Sequence, residues 1–240
     1  MPQRKLPEKN FNWTPKLAYI IGLLTTDGNL SKDNRHIIMR SSDIQLLKTF
    51  KKCLKLKTKI VQSKNDTLAQ KPCYRIQFSN VQFYKWLLKI GLFPNKTYTI
   101  KSLDIPRQYF RDFLRGHLDG DGSITTYKDY YNTFKNPAYI YDRLFVTFIS
   151  ASEKHIRWIR NGIFRSISIK GRLWKSKPQP SHKVSIWEIK YAKKESIKLL
   201  HWIYYKKNLP CLKRKKIIAD KILILLSRQK RKKYTKQKER

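Results

Sequence analysis

The sequence predicts an α+β fold made of two pseudo-symmetric α-β-β-α-β-β-α repeats. Three observations carry this. First, "YIIGLLTTDGNL" (19–30) and "FLRGHLDGDGSI" (113–124) align without a gap: Gly22 falls on Gly116, Leu24 on Leu118, Asp27 on Asp121, Gly28 on Gly122 and Leu30 on Ile124. Internal repetition of this kind defines the architecture before any single element does. Second, a helix start precedes each stretch. Third, the same run of strand-like and helix-like segments follows each one.

In the first repeat, Thr14 and Pro15 form an N-cap followed by proline at the first helical position. The helix ends at Asp27, with Gly28 expected as a left-handed stop. "NLSKD" is a weakly written strand, "RHIIMRS" a clearer one, and Asp43 caps the helix "DIQLLKTFKKCLKL". "KIVQSKN" and "CYRIQFSN" follow as strands. In the latter, Tyr74, Ile76 and Phe78 share one face, and Cys73, Arg75, Gln77 and Ser79 the other. "VQFYKWLLKIGL" closes the repeat as a helix. In the second repeat, Asp104 and Pro106 open the helix and Gly122 ends it. The strands are "SITTYKD", "RLFVTFIS", "GRLWKSK" and "KVSIWEIKY". The helices are "SEKHIRWIRNGIF", capped by Ser152, and "KKESIKLLHWIYYK". The expected divisions are an N-terminal segment 1–13, repeats over 14–103 and 104–226, and a basic tail 227–240 read as a flexible arm. From Asp27 to Asp43 is 16 residues, but from Asp121 to Ser152 is 31. The excess falls in the tyrosine-rich "TTYKDYYNTFKNPAYIYDR", read as an extended hairpin or loop.

Composition bounds the partners. The 240 residues carry 54 Lys and Arg against 16 Asp and Glu, a net charge of +38. Such an excess calls for a polyanion, and nucleic acid is the obvious one. Cys53, Cys73 and Cys211 are odd in number and form no CxxC, so neither disulfides nor a zinc site are expected, which suits a reducing, intracellular setting. The first residues lack an apolar h-region, and "IIADKILILL" is broken by Asp220 and Lys221, so no membrane role is expected. Usage rich in Lys, Asn, Ile and Tyr hints at an AT-biased genome such as an organelle's.

The repeated acids carry the chemistry. Gly22 and Thr26 are four apart, as are Gly116 and Gly120, and small residues at that spacing let two helix backbones approach closely. Packed together, these helices would bring Asp27 and Asp121 side by side, where they repel unless a divalent cation bridges them. Such a site suits in-line displacement at phosphate, with magnesium as the fitting ion. An EF-hand counted from Asp119 would need glutamate at position twelve, where Tyr130 stands. Thr25 holds the place of Asp119 in the first copy, so Asp119 reads as a structural neighbour rather than a ligand. The scattered histidines exclude an HNH arrangement, and no second YIG follows "YIIG".

"IIGLLTTDG" (20–28) and "LRGHLDGDG" (114–122) resemble the two signature helices of LAGLIDADG homing endonucleases. The likeness extends over nearly the whole chain, and the first copy departs from the pattern at Thr25 and Thr26. The resemblance implies a monomer with pseudo-twofold symmetry, with the signature helices at the interface and antiparallel β-saddles on a long asymmetric DNA duplex. It implies Mg2+, with Mn2+ as a substitute, bound by Asp27 and Asp121 and by the carbonyls of Thr26 and Gly120. Each half would cut one strand, leaving 3′ overhangs. A lysine after the last helix of each repeat is also implied: Lys96 in the first, and either Lys213 or Lys215 in the second. Ser42, and Ser150 to Ser152, lie where a further polar residue is often used, although a capping role explains them equally well. The expected DNA-binding set is Arg35, Arg40, Gln62, Lys64, Arg75 and Gln77 in the first half, and Arg172, Lys175, Lys183 and Lys190 in the second; the alternative for each is a solvated sheet face. Two other functions fit the same residues: an RNA maturase assisting splicing of an intron, and a noncatalytic DNA-binding protein.

Overall fold

The computed structural model describes residues 11–63, 72–178 and 185–238. The first repeat runs α1 (Pro15–Thr26), β1 (Gly28–Leu30), β2 (His36–Ser41), α2 (Ile44–Leu54), β3 (Val61–Gln62), β4 (Tyr74–Ser79) and α3 (Val81–Lys89), followed by a 3-10 turn at Lys96–Tyr98. The second runs α4 (Phe110–Gly120), β5 (Ser123–Asp129), β6 (Tyr141–Ser150), α5 (Glu153–Ile167), β7 (Arg172–Lys175), β8 (Trp187–Tyr191) and α6 (Lys193–Ile203), followed by α7 (Lys213–Lys238). The expected α-β-β-α-β-β-α order is therefore present twice. The sheets are antiparallel and share one topology, β1-β2-β4-β3 and β5-β6-β8-β7.

Each sheet buries one face. Ile37, Met39 and Ile76 point inward in the first, and Leu144, Val146, Phe148 and Ile189 in the second. Helices cover these faces with amphipathic stripes: Leu46, Leu47 and Phe50 of α2, and Ile156, Ile159 and Ile163 of α5. The other face of each sheet is left open. α1 and α4 lie back to back between the repeats and are buried almost throughout. Among the described residues no helix is long and apolar enough to cross a membrane.

Several local expectations change. Thr14 does cap α1, accepting from the Leu17 amide at 3.1 Å. Asp104 does not cap α4. Pro106 instead precedes a 3-10 turn at Arg107–Tyr109 that feeds directly into the helix. Gly28 and Gly122 are not left-handed stops. The helices end on Asp27 and Asp121 with φ of −93° and −92°, and the left-handed glycines are Gly91 and Gly171. Glycine is needed at 28 and 122 for space: a Cβ there would lie 2.6 Å from Leu24 Cα or from Leu118 Cδ1. The chain turns into its strand hard against the last helical turn. The basic tail expected as a flexible arm continues α7 to Lys238. Its Lys, Arg and Gln are good helix formers, and no glycine or proline interrupts them. The tyrosine-rich insertion extends the β5–β6 hairpin and exposes Tyr130, Tyr131 and Phe134.

Candidate active site and nucleic-acid interface

The two signature helices touch backbone to backbone. A Cβ on Gly22 would lie 2.1 Å from the Phe113 carbonyl oxygen, and one on Gly116 would lie 2.0 Å from that of Tyr19. One turn on, a Cβ at Gly120 would lie 2.0 Å from Thr26 Oγ1 and 3.1 Å from Asp27 Oδ2. Gly22, Thr26, Gly116 and Gly120 therefore all sit at the helix crossing. Asp27 and Asp121 follow at adjacent helix ends.

That placement is electrostatically unfavourable for two bare carboxylates. Burial, and then the charge of Asp121, push the Asp27 carboxyl up to about 7. Burial also raises Asp121, against the pull of Lys215 and Lys96. The C-terminal ends of α1 and α4 add further partial negative charge. Without a Cβ, Gly120 lets Thr26 and Asp27 pack directly against it, and the two carboxylates under like-charge strain are hard oxygen donors of the kind a divalent cation takes.

A buried lysine flanks the acids on each side. Lys96, in the 3-10 turn after α3, is 7% exposed and donates to the Gly28 carbonyl. Lys215, in the first turn of α7, is 4% exposed and donates to the carbonyls of Gly122 at 2.6 Å, Leu118 at 2.5 Å and Asp119 at 2.9 Å. Gly28 and Gly122 are repeat equivalents, so the two lysines occupy matching positions. Burial lowers both to about 8, although the neighbouring acids favour their charge. Of Lys213 and Lys215, it is Lys215 that lies buried against the Gly122 carbonyl. Lys213 is exposed, and its amide donates to Gln45 Oε1 on α2. Ser152 caps α5 and donates to the Ile100 carbonyl. Ser42 is exposed beside α2, whose cap is Asp43.

Asp119 is buried two residues before Asp121. It accepts from the Tyr19 hydroxyl at 2.9 Å and from the Leu212 amide at 2.7 Å, and burial holds its carboxyl up at about 6. It belongs to a polar network that sequence reading missed. Arg115, wholly buried, pairs with Asp112 at 2.7 Å and donates to the Ile203 and Pro210 carbonyls, both at 2.9 Å. A signal was present: the equivalent positions in the first repeat are Ala18, Ile21 and Thr25.

The open sheet faces carry much of the expected cationic set. Arg40 pairs with Arg75 across β2 and β4, with Gln77 opposite Ile38. Arg35 is exposed, its Nε donating to Ser79 Oγ at 3.2 Å. In the second sheet, Arg172 is opposite Lys190, and Lys190 is opposite Thr147. Two residues fall on the other face. Gln62 pairs with Tyr74, and Lys175 pairs with Trp187, because alternation turns them to the helix side. Lys64 and Lys183 lie outside the described residues. The open face of the second sheet also holds Tyr127, Arg143, Phe145 and Trp174, which were not singled out. Lys190 Nζ sits 4.2 Å from the Phe145 ring centroid and 5.9 Å from that of Trp174. Alternation in "RLFVTFIS" could have found Arg143 and Phe145.

Residues 14–91 match the sequence profile of a LAGLIDADG-like domain. No curated protein matches the chain in sequence. Among solved structures, the LAGLIDADG homing endonuclease I-LtrWI bound to target DNA aligns at a TM-score of 0.54 and 12% identity, over 89% of this chain and 91% of that one. I-SmaMI, bound to an uncleaved DNA target in the presence of calcium ions, aligns at 0.58 and 10% identity, over 91% and 93%. Full-length DUF199/WhiA from Thermotoga maritima aligns at 0.52 and 16% identity, over 90% of this chain and 62% of that one. At such identities the structural likeness is one of fold. Residues 14–91 therefore carry a LAGLIDADG-like domain, and the chain as a whole shares the fold of these structures, doubled around paired signature helices.

Proposed function

We propose that this chain is a site-specific DNA endonuclease that cuts both strands of a long asymmetric duplex in a divalent-metal-dependent reaction. One observation carries the reading: Asp27 and Asp121 converge at the helix ends, each half contributing its own buried lysine, between two open sheet faces bearing Arg40 and Arg75 on one side and Arg172 and Lys190 on the other.

Asp27 and Asp121 would hold Mg2+, or Mn2+ in its place, with the carbonyls of Thr26 and Gly120 as further oxygen donors. When bound, the ion lowers the pKa of its water and offsets charge building on the scissile phosphate. The chain's own groups do the rest. The sheet arginines and lysines would hold flanking phosphates and base edges in register. Lys96 and Lys215 would direct a positive Nζ toward charge developing at the reacting phosphate, one lysine for each strand. Cuts by paired, closely spaced sites across the minor groove would leave 3′ overhangs. One chain suffices, since both halves of the site are present.

The test is cleavage of a randomised duplex library in Mg2+, comparing the wild type with the Asp27→Asn/Asp121→Asn double variant. Cutting by the wild type alone is expected. Undiminished cutting by the double variant refutes the reading. Tight, specific binding by a wild type that never cuts points to a noncatalytic DNA-binding protein, and splicing assistance without cutting points to a maturase.

A further inference from the structure

The two lysine sites are matched in position but not in how they are built. Asp119 has no acidic counterpart in the first repeat. Its equivalent, Thr25, spends its hydroxyl on the Ile21 carbonyl of its own helix at 2.7 Å. Tyr19, whose hydroxyl donates to Asp119, is likewise matched by Phe113, which has no hydroxyl. A polar bridge between Tyr19 and Asp119 therefore crosses the helix interface, and its mirror-image pair, Phe113 and Thr25, forms no such bond.

The bridge ends on the chain that carries Lys215. Asp119 Oδ2 accepts from the Leu212 amide, one residue before α7 begins, and Lys215 lies in the first turn of that helix. Arg115 grips the preceding residues through the Ile203 and Pro210 carbonyls. From that anchored start, Lys215 Nζ reaches the Gly122 carbonyl beside Asp121. For Lys96, on a 3-10 turn, the partner is the Gly28 carbonyl.

We propose that Tyr19 and Asp119 are positioning residues for Lys215, so that one strand cut depends on this bridge while the other does not. The proposal rests on the endonuclease reading for its strand-cutting consequence. The positioning itself is a property of the chain alone. A buried carboxylate that bonds the amide leading a helix fixes where that helix starts, and a shift of a fraction of an ångström carries along its first-turn side chains. Misplacement on that scale is costly to a reacting geometry.

Two readouts on the full-length protein test it. The first is strand-resolved cleavage of an end-labelled target duplex by Tyr19→Phe and Asp119→Asn. Each is expected to slow, by roughly tenfold or more, the strand that Lys215→Met slows, and to leave the strand sensitive to Lys96→Met within about twofold, so that nicked duplex accumulates. Equal slowing of both strands, or of neither in a folded variant, overturns the proposal. The second readout needs no DNA: the rate of covalent amine labelling at Lys215 and Lys96, measured by peptide mass spectrometry. Tyr19→Phe, which breaks the bridge but keeps the Asp119 charge beside Lys215, is expected to raise labelling at Lys215 several-fold and leave Lys96 unchanged; no change at Lys215, or an equal rise at both lysines, overturns the proposal. Should the wild type cut nothing while Lys215 labelling rises as expected, the endonuclease reading fails and the positioning stands. Tyr19→Phe removes a single hydroxyl, so it also carries the cleavage readout if Asp119→Asn does not fold.

Discussion

Replacing Asp27 with asparagine should stabilise the metal-free protein, increasingly so as pH rises. The carboxyl stands at about 7 in the fold against an ordinary 3.8, chiefly because it is buried and then because Asp121 is beside it. A group held above its unfolded value contributes stability below the unfolded value and loses it as pH rises through the folded one. Here the loss begins near pH 4 and is complete a little above pH 7. At about 1.4 kcal/mol per pH unit the full span is roughly 4 kcal/mol, and rearrangement of nearby lysines and water would trim that to about 2 kcal/mol. In a chain of this size, that corresponds to roughly 4–8 °C in Tm. The assay is thermal denaturation followed by circular dichroism in a chelator at pH 5, 6.5 and 8, reading the variant minus the wild type so that the large net charge cancels. The variant should melt higher at pH 8, with a smaller gap at pH 5. A gap that does not grow with pH, or a wild type that melts higher at pH 8, refutes the argument that these carboxylates are held in conflict. Added Mg2+ should raise the wild type and leave the variant nearly unmoved.

Other perturbations follow from the same geometry. Gly116→Ala forces a Cβ to within 2.0 Å of the Tyr19 carbonyl oxygen, a backbone atom with nowhere to go. A loss of about 3 kcal/mol is expected, or roughly 6–12 °C in Tm, read by the same melts. Asp112→Asn leaves Arg115 buried without its carboxylate and should cost about 3–5 kcal/mol in denaturant titrations, whereas a joint Asp112→Asn/Arg115→Met change should cost less. Arg75→Ala and Lys190→Ala should each reduce the salt dependence of DNA binding by about one unit of slope, measured by fluorescence anisotropy across a salt series.

The repeat was readable because its meaning lay in local spacing. Gly22 and Gly116 recur with Asp27 and Asp121 at one offset, and the strands around Ile37, Ile76 and Phe148 alternate plainly. What escaped needed information from far along the chain. Asp112, Arg115 and Asp119 are satisfied by Tyr205, Ile203, Pro210 and Leu212, some ninety residues away, and no local pattern announces those partners. Gln62 and Lys175 were assigned to the wrong face because β3 and β7 are too short for alternation to declare itself. Lys213 and Lys215 are two apart in sequence, but a helix turns them to nearly opposite sides, and only the packing of α7 decides which one enters. Gly28 and Gly122 were recognised for the right reason of position and the wrong reason of conformation.

The Tyr19–Asp119 contact also bears on which halves can pair. Suppose the repeats were made as separate chains. Two copies of the second would set Asp119 against Phe113 in a buried interface, leaving the Leu212 amide without the help of a tyrosine hydroxyl in satisfying the acid. Two copies of the first would face Tyr19 with Thr25, a neutral hydroxyl whose proton already goes to its own helix, in place of a carboxylate. Only the unlike pair joins the Tyr19 hydroxyl to the Asp119 carboxylate. Such a molecule, once its halves had diverged at these four positions, would be held to asymmetry by its own interface and freed to let each half recognise a different sequence.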